Sequence, residues 1–137
     1  MIVRCGIDMV YLPRLERLLS KHGKSFGEKI LAAEEVEYVF SFQRPRRRLQ
    51  TFAGLFAAKE AIAKALGTGL WSAGVAWRDV VILKNEQGKP YIEFRNKVKE
   101  HADKLEIVSM DISISHDGDY AIASCQMLIK QDIISFC

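Results

Sequence analysis

The chain has 137 residues, of which 49% are hydrophobic and 27% are charged, and its formal net charge is +3. This size and composition predict one globular domain, exclude a low-complexity or disordered chain, and do not by themselves indicate nucleic-acid binding. The three cysteines are far apart, so neither a disulfide framework nor a zinc site is expected. With no signal peptide and no apolar run near the roughly 20 residues of a membrane helix, we expect a cytoplasmic protein without a membrane span.

The first 42 residues predict one strand followed by helices. Residues 2–7 are apolar and rich in β-branched types, which predicts a strand that ends at Asp8. A helix is expected from about Pro13 to Gly23, and residues 25–42 predict two shorter helices. Three basic residues of the first helix recur at spacings of three and four, so they share one face: Arg14, Arg17 and Lys21.

The segment QRPRRR at 43–48 concentrates positive charge and contains no acidic residue. We expect a basic loop here that Pro45 stops or bends. Two interpretations remain open at this point, a solvated loop or a site for a phosphorylated or acidic partner.

The segment FAAKEAIAKALGTG at 56–69 belongs to a helix predicted from about Leu49 to Leu66 and closed by GTG. At 100° per residue, Lys59 falls inside the apolar arc of this helix, and Glu60 falls at the edge of that arc. An ammonium group in that position either extends to solvent or needs a buried partner.

The second half predicts two hairpins separated by a helix. Val80–Leu83 and Tyr91–Phe94 flank a turn, residues 95–105 form a charged amphipathic helix, and two strands follow at 108–115 and 120–128. The fold class is therefore α+β with a mainly antiparallel sheet. We expect one domain over residues 1–128 and a C-terminal tail over 129–137.

Several polar residues lie at the rims of apolar elements and together predict one Mg²⁺–phosphate site: Asp8, Lys59, Glu60, Lys64 and His116. Mg²⁺ takes one or two protein carboxylates together with substrate phosphate, and lysine and histidine can neutralise the remaining charge. Simpler interpretations exist for each residue. Asp8 could cap a helix, Glu60 and Lys64 could form a surface pair, and His116 could be a hydrogen-bonded core residue.

Three ordered motifs between Ile2 and Met127 carry a resemblance to a known family: GIDMVYLPRLERLL, FAAKEAIAKALGTG and ISHDGDYAIA. Together they resemble the 4′-phosphopantetheinyl transferases, and the short chain is similar to the holo-[acyl-carrier-protein] synthase branch. The resemblance implies transfer of phosphopantetheine from coenzyme A to a serine of apo acyl carrier protein, with Mg²⁺ and release of adenosine 3′,5′-bisphosphate, in support of fatty acid biosynthesis. It also implies a homotrimer with active sites between subunits.

The resemblance assigns roles to individual residues. Asp8 and Glu60 are implied as Mg²⁺ ligands, with Lys64 beside them in the catalytic set, and either Glu60 or a metal-bound water as the base. Lys64 and His116 match positions that hold coenzyme A phosphates. Lys59 is implied to steady Glu60 or the substrate, and Arg14 matches the residue that meets the acidic helix of the carrier protein.

Two positions depart from the family pattern, since many members have a basic residue where Leu55 stands and a hydroxyl-bearing residue where Ala63 stands. We expect Arg46 and Arg47 to supply phosphate charge in compensation, and Arg17 and Lys21 to join Arg14 in carrier binding. Two other functions remain possible from the residues alone. One is a nucleic-acid module acting through residues 14–24 and 44–48, although no aromatic platform accompanies them. The other is a Mg²⁺-dependent hydrolase of nucleotide diphosphates.

Overall fold

The computed structural model describes residues 1–67 and 74–130. The first half contains one strand and four helices: β1 (Ile2–Tyr11), α1 (Leu12–His22), α2 (Lys24–Ile30), α3 (Ala33–Phe40) and α4 (Pro45–Leu66). After a 3₁₀ turn at Trp77–Asp79, the second half contains β2 (Val80–Lys84), β3 (Pro90–Phe94), α5 (Asn96–Leu105), β4 (Ile107–Asp117) and β5 (Tyr120–Ile129). The predicted α+β class is confirmed. None of the described helices is long and apolar enough to cross a membrane.

The main sheet has three antiparallel strands in the order β1-β5-β4. Its faces differ because side chains alternate along each strand. On β5 the residues facing α4 are buried and mostly small: Ala121, Ala123, Cys125, Met127 and Ile129. Burial raises the pKa of the Cys125 thiol to about 12, so this cysteine is packed as an apolar core residue.

Helix α4 lies across the inner face of this sheet and forms the centre of the core. Its sheet-facing residues are small, among them Ala57, Ala61 and Ala65, which lets the helix approach the strands closely. Gly6 of β1 makes the closest approach, because a Cβ atom there would lie 1.9 Å from the carbonyl oxygen of Ala61. The only side chain that fits at position 6 is therefore hydrogen.

The hairpin of β2 and β3 forms a separate two-stranded sheet. Its turn is closed by one side chain, since Asn85 Oδ1 accepts hydrogen bonds from the backbone N–H groups of Gln87 and Lys89, each at 2.9 Å. Gly88 in this turn adopts a φ of 81°, a conformation that glycine adopts without a steric penalty. The Lys89 ammonium contacts Asp111 of β4 at 2.8 Å and ties the hairpin to the main sheet.

The structure corrects two expected boundaries near the candidate site. Strand β1 does not end at Asp8, because the next residues continue to pair with β5 as far as Tyr11 opposite Tyr120. Helix α4 does not begin near Leu49, because Pro45 starts the helix and does not stop it. Proline suits the first turn of a helix, where its missing N–H has no intrahelical partner. The expected basic loop is therefore the first turns of α4.

Two smaller differences concern the last part of the chain. The strand expected at 108–115 extends over Ile107–Asp117, and a β-bulge between Ile107 and Ser109 shifts its register and leaves Val108 exposed. Strand β5 continues one residue beyond its expected end, to Ile129. The rest of the expected tail, residues 131–137, lies outside the described residues, as do Thr68 and Gly69 of the expected helix cap.

Candidate active site

A cleft of about 230 Å³ brings together residues from β1, α1 and α4. Asp8 and Glu60 supply two carboxylates to its wall, Arg14 supplies a guanidinium, and Phe56 supplies an apolar side. We call this the carboxylate cleft. Its acidic residues are 52 positions apart in sequence, and the packing of β1 against α4 is what makes them neighbours.

Asp8 owes its place to Gly6. Both residues are on the inner face of β1, and the contact of Gly6 with the backbone of Ala61 holds the strand against the helix one turn from Lys64. The Lys64 ammonium donates hydrogen bonds to the Ile7 carbonyl at 2.8 Å and to Asp8 Oδ1 at 3.3 Å. The structure thus places Asp8, Glu60 and Lys64 at one site, as the sequence predicted.

The donor set of the carboxylate cleft fits a hard divalent cation. Within residues 1–67 and 74–130, no group of three or more His, Cys, Asp or Glu side chains is arranged to hold a metal. Two carboxylates from Asp8 and Glu60 match Mg²⁺, which binds through one or two protein carboxylates and completes its octahedral shell with substrate phosphate and water. A protein-only cage for zinc or calcium would need more ligands.

Lys59 is fully buried, and its ammonium lies on Glu35 at 2.7 Å. Neither side chain has any exposed surface. Burial lowers the pKa of Lys59, and the adjacent Glu35 carboxylate opposes that shift. Of the two possibilities raised by the sequence, the buried partner is the one observed. The ammonium donates to Glu35 and to two backbone carbonyls, so Lys59 acts on the neighbouring Glu60 only through the packing of α4.

His116 and Arg47 line a second, more polar pocket of about 440 Å³, to which Lys84 also contributes. We call this the basic pocket. His116 Nε2 lies 2.8 Å from the Gln50 carbonyl oxygen, and the ring packs over Gly54, where a Cβ atom would come within 3.1 Å of Nε2. His116 is thus neither a buried core residue nor a free surface residue, because its ring is oriented against α4.

The two pockets lie on opposite sides of α4. Phe56 and Glu60 face the carboxylate cleft, whereas Arg47, Gly54 and Leu55 face the basic pocket. At 100° per residue, Glu60 is a third of a turn from Gly54 and slightly more from Arg47 and Leu55. Therefore the structure does not bring His116 and Arg47 to the Asp8–Glu60 site within one chain.

Each arginine at the start of α4 has a contact within the chain. Arg46 donates to the Gly118 carbonyl at 3.0 Å and to Asp119 Oδ1 at 3.1 Å, which fastens the β4–β5 turn to the helix. The guanidinium of Arg47 lies 4.7 Å from the ring centre of Phe42, and that of Arg48 lies 5.1 Å from the ring centre of Phe40. All three guanidinium groups are therefore engaged by other parts of the chain.

The basic face of α1 begins at the carboxylate cleft and runs away from it. Arg14 lines the cleft, and Arg17 and Lys21 are exposed further along the same helix. Lys21 is seven residues from Arg14, or about 10 Å at 1.5 Å per residue. Of the three residues expected to bind a carrier protein, Arg14 is therefore nearest to the two carboxylates and Lys21 is farthest from them.

Sequence reasoning missed Glu35 and Lys84. Glu35 is the third residue of α3 and accepts the Ala32 N–H at 2.8 Å, so the available signal was a glutamate near a helix start. A glutamate at this position is usually interpreted as a cap of the helix N-terminus. The sequence separation of Glu35 and Lys59 does not indicate that the two side chains meet. Lys84 ends β2, and only the folding of the hairpin against α4 brings it to the basic pocket.

Comparisons with known proteins identify the family of this chain. The family model of the 4′-phosphopantetheinyl transferase superfamily matches residues 4–125. The chain is 38% identical over 118 residues to a holo-[acyl-carrier-protein] synthase of Ruminiclostridium cellulolyticum, covering 86% of each protein.

Solved structures give the same result. The fold is similar to that of an ACPS–CoA complex from Chronobacterium ammoniagenes, with a TM-score of 0.82 and 25% identity over 96% of this chain and 100% of that one. It is also similar to the Helicobacter pylori holo-[acyl-carrier-protein] synthase in complex with coenzyme A, with a TM-score of 0.76 and 31% identity over 90% and 99% of the two chains. The chain is an enzyme that belongs to the 4′-phosphopantetheinyl transferase superfamily, in its holo-[acyl-carrier-protein] synthase branch.

Proposed function

We propose that this enzyme transfers 4′-phosphopantetheine from coenzyme A to a serine of apo acyl carrier protein in a Mg²⁺-dependent reaction, releasing adenosine 3′,5′-bisphosphate. Fatty acid biosynthesis is the process that such a modified carrier serves. The observation that carries the proposal is the carboxylate cleft, where Asp8 and Glu60 face one space and Lys64 lies against Asp8. The relatives named for this activity support it.

Phosphoryl transfer depends on positioning and on neutralising charge more than on covalent help from the protein. Asp8 and Glu60 would hold Mg²⁺, which when bound supplies Lewis-acid polarisation of the pyrophosphate. Lys64 already neutralises Asp8, and its ammonium is half-exposed, so it can also meet a phosphate oxygen. The base that takes the serine proton is either Glu60 or a water molecule at the metal.

Coenzyme A carries phosphate at both ends of its ribose, and the basic pocket offers charge for it. In this pocket His116 keeps Nε2 on the Gln50 carbonyl, which leaves Nδ1 as the ring nitrogen that meets a ligand. Arg47 and Lys84 line the same space, together with the apolar Leu55. We assign Arg47 and His116 to phosphate binding. Arg46 contributes mainly by fixing the turn that follows His116.

The opposite placement of the two pockets on α4 favours a site shared between subunits. A coenzyme A molecule that reaches both Glu60 and His116 is best accommodated by the carboxylate cleft of one chain and the basic pocket of another. An apolar patch on the outer face of the sheet gives a second copy a surface to cover: Ile7, Met9, Tyr11, Tyr120 and Ile122. We therefore propose a homotrimer with its active sites between subunits.

The decisive experiment incubates the protein with coenzyme A, Mg²⁺ and an apo acyl carrier protein and then measures the mass of the carrier. A gain of one phosphopantetheine group on the carrier serine is expected, and it should disappear when EDTA replaces Mg²⁺. Hydrolysis of coenzyme A with an unchanged carrier mass would instead identify a nucleotide-diphosphate hydrolase.

A further inference from the structure

Among the described residues, Lys59 and Glu35 are the two charged side chains without any exposed surface, and they form a closed network in the core. The Lys59 ammonium donates to Glu35 Oε1 at 2.7 Å, to the Trp77 carbonyl at 3.1 Å and to the Val80 carbonyl at 2.6 Å. An ammonium group has three hydrogens, so all of its donors are used.

The carboxylate of Glu35 is equally well satisfied. Oε1 also accepts the Ala32 N–H at 2.8 Å, and Oε2 accepts the Ile82 N–H at 3.0 Å. The pair therefore joins four separate pieces of backbone, namely the start of α3, the middle of α4, the 3₁₀ turn and β2. Moving any one of them breaks a hydrogen bond of this network.

Stability alone is a weak explanation for such a pair. Removing two charges from water carries a desolvation penalty that their mutual attraction only partly offsets, and apolar residues of similar volume are often as stable. Hydrogen bonds are directional, whereas apolar contacts are not. The network therefore fixes the position of α4 and its rotation about its own axis, which an apolar pair would not do.

The residue next to Lys59 is Glu60, which faces the carboxylate cleft. Trp77 provides a second connection between Lys59 and the cleft. Its carbonyl accepts the Lys59 ammonium, its ring packs on Phe56 at 4.8 Å between ring centres, and Phe56 lines the cleft. On the other side, Gly6 meets Ala61. Three consecutive residues of α4 therefore have three different contacts. Lys59 forms the buried pair with Glu35, Glu60 faces the carboxylate cleft, and Ala61 contacts Gly6 of β1.

We propose that the Lys59–Glu35 pair is a positioning device for Glu60, which sets the rotation of α4 so that Glu60 and Asp8 hold one divalent cation together. The inference rests on the proposed function. Neither residue touches substrate or metal, so both act through Glu60, and their replacement changes cation affinity and turnover in protein that remains folded.

The test is the uncharged pair Lys59→Met/Glu35→Gln compared with each single variant. Each single change leaves one buried charge without its partner and lowers the melting temperature strongly. The double variant regains much of that stability, because no uncompensated charge remains. Its Mn²⁺ affinity, measured by electron paramagnetic resonance with coenzyme A present, stays about 10- to 100-fold weaker than wild type, as is typical when a residue supporting a metal ligand is lost.

Turnover of the double variant falls with Mn²⁺ affinity, and the KM for the carrier protein is unchanged. The matched control is Lys99→Met/Asp103→Asn, which removes an exposed ion pair from α5 and leaves affinity and turnover at wild-type values. If the stable double variant binds Mn²⁺ and turns over like wild type, the pair is purely structural and the proposal is wrong.

A second variant covers the case in which the double variant does not fold. Glu35→Asp keeps both charges but withdraws the carboxylate by one methylene, so it tests position without burying an unpaired charge. The folded protein is expected to bind Mn²⁺ more weakly, and wild-type affinity in it would overturn the proposal. Wild-type protein assayed in parallel separates this outcome from failure of the proposed function, because only the latter leaves the wild type without transferase activity.

Discussion

At the scale of single residues, the carboxylate cleft depends on where Asp8 lies. Asp8 is in the middle of β1 with its side chain toward α4, and Lys64 holds one of its oxygens at 3.3 Å. A carboxylate at a flexible strand end would be free to turn away, whereas β1 pairs with β5 on both sides of Asp8. Asp8 is therefore held in place before any cation or phosphate arrives, which lowers the ordering that binding must impose.

Asp8→Ala and Glu60→Ala are each expected to abolish Mg²⁺-dependent transfer while the fold survives. The loss of activity should exceed the roughly 10- to 100-fold typical of removing a residue that only supports a metal ligand. Carrier mass gives the activity, and circular dichroism gives the fold. Normal turnover in either variant would remove that residue from the proposed metal site.

Arg14→Ala is expected to raise the apparent KM for the carrier protein and to leave that for coenzyme A nearly unchanged. Exposed charges act by steering and orientation, so salt should weaken the wild type more than the variant. The effect should decrease along α1, from Arg14 through Arg17 to Lys21, as distance from the cleft grows.

Lys104→Ala provides a matched control, because it removes one exposed positive charge from α5. It should change neither constant. A selective loss of coenzyme A binding in Arg14→Ala would mean that α1 contacts the nucleotide and not the carrier.

At the scale of elements, the contact of β1 with α4 is the most constrained part of the fold. Gly6→Ala would force a methyl group into the carbonyl of Ala61, and backbone cannot move aside as a side chain can. We expect a loss of about 3 kcal/mol or more in urea unfolding, at or above the usual range for overpacking. Residual folded protein should have lost activity, because the strand that carries Asp8 must shift.

The control for this change is Gly27→Ala in α2. The nearest atom to a new Cβ atom there is Phe52 Cε2 at 3.8 Å, an ordinary contact, and alanine favours a helix more than glycine does. Gly27→Ala should therefore leave stability unchanged or raise it slightly. Equal stability of the two variants would contradict the close-contact explanation.

The first turn of α3 is joined to the start of α5 by Arg95, which donates to both carboxylate oxygens of Glu34. The Arg95 guanidinium holds the pKa of Glu34 at about 2, below its usual value of 4.5. A carboxyl group with a lowered folded-state pKa stabilises the fold above its unfolded pKa, and this contribution disappears as the pH falls through the folded value.

Arg95→Gln is therefore expected to be less stable than wild type at pH 7, with a modest difference because both groups are partly exposed. The difference should shrink as the pH is lowered from about 4.5 to about 2. Urea unfolding at a series of pH values measures this, and a gap that is the same at pH 2.5 and pH 7 would disprove the coupling.

The element order and the fold class followed from the sequence because each strand and helix has a clear period. The amphipathic helix at 95–105 and the alternating strand after Ile107 are examples. The boundary errors arose where pairing with a distant strand extended β1 and where Pro45 had two possible roles. The partner of Lys59 could not be predicted, because Glu35 meets it only after α3, α4 and β2 pack together.

The same distinction applies to the candidate site. Asp8, Glu60 and Lys64 were predicted together because they lie at the rims of apolar elements and match family motifs, and the structure brings them together. His116 was placed with them on the same two grounds, and Arg47 was added on its charge. Charge does not encode which side of a helix faces which pocket, and the structure puts these two residues across α4 from Glu60.

At the scale of the whole molecule, the outer face of the sheet is the surface that most needs a partner. Ile7 and Met9 are 59% and 60% exposed, and Met9 pairs across the strands with Ile122. A continuous exposed apolar patch on a protein of this size marks an interaction surface. A second copy of the chain is the partner that the shared-site proposal requires.

Light scattering is expected to give about three times the 15.5 kDa chain mass. Ile122→Lys should shift the protein toward monomers and lower activity with it, because a charge in the patch opposes burial and separates the two halves of each site, and Ile122 does not line the carboxylate cleft. Tyr91→Lys, an equally drastic change at an exposed aromatic residue of β3, should do neither. A fully active monomer would refute the shared site.

The two hairpin turns have different consequences for anyone who engineers this protein. The turn between β4 and β5 is a junction, since Arg46 holds Gly118 and Asp119, and the Asp119 carbonyl accepts the first N–H of α1 at 2.8 Å. The turn between β2 and β3 is closed mainly by its own Asn85. An insertion in the first turn would separate the sheet from two helices at once, whereas an epitope tag in the second turn has only to leave Lys84 of the basic pocket and Lys89, which contacts Asp111, in place.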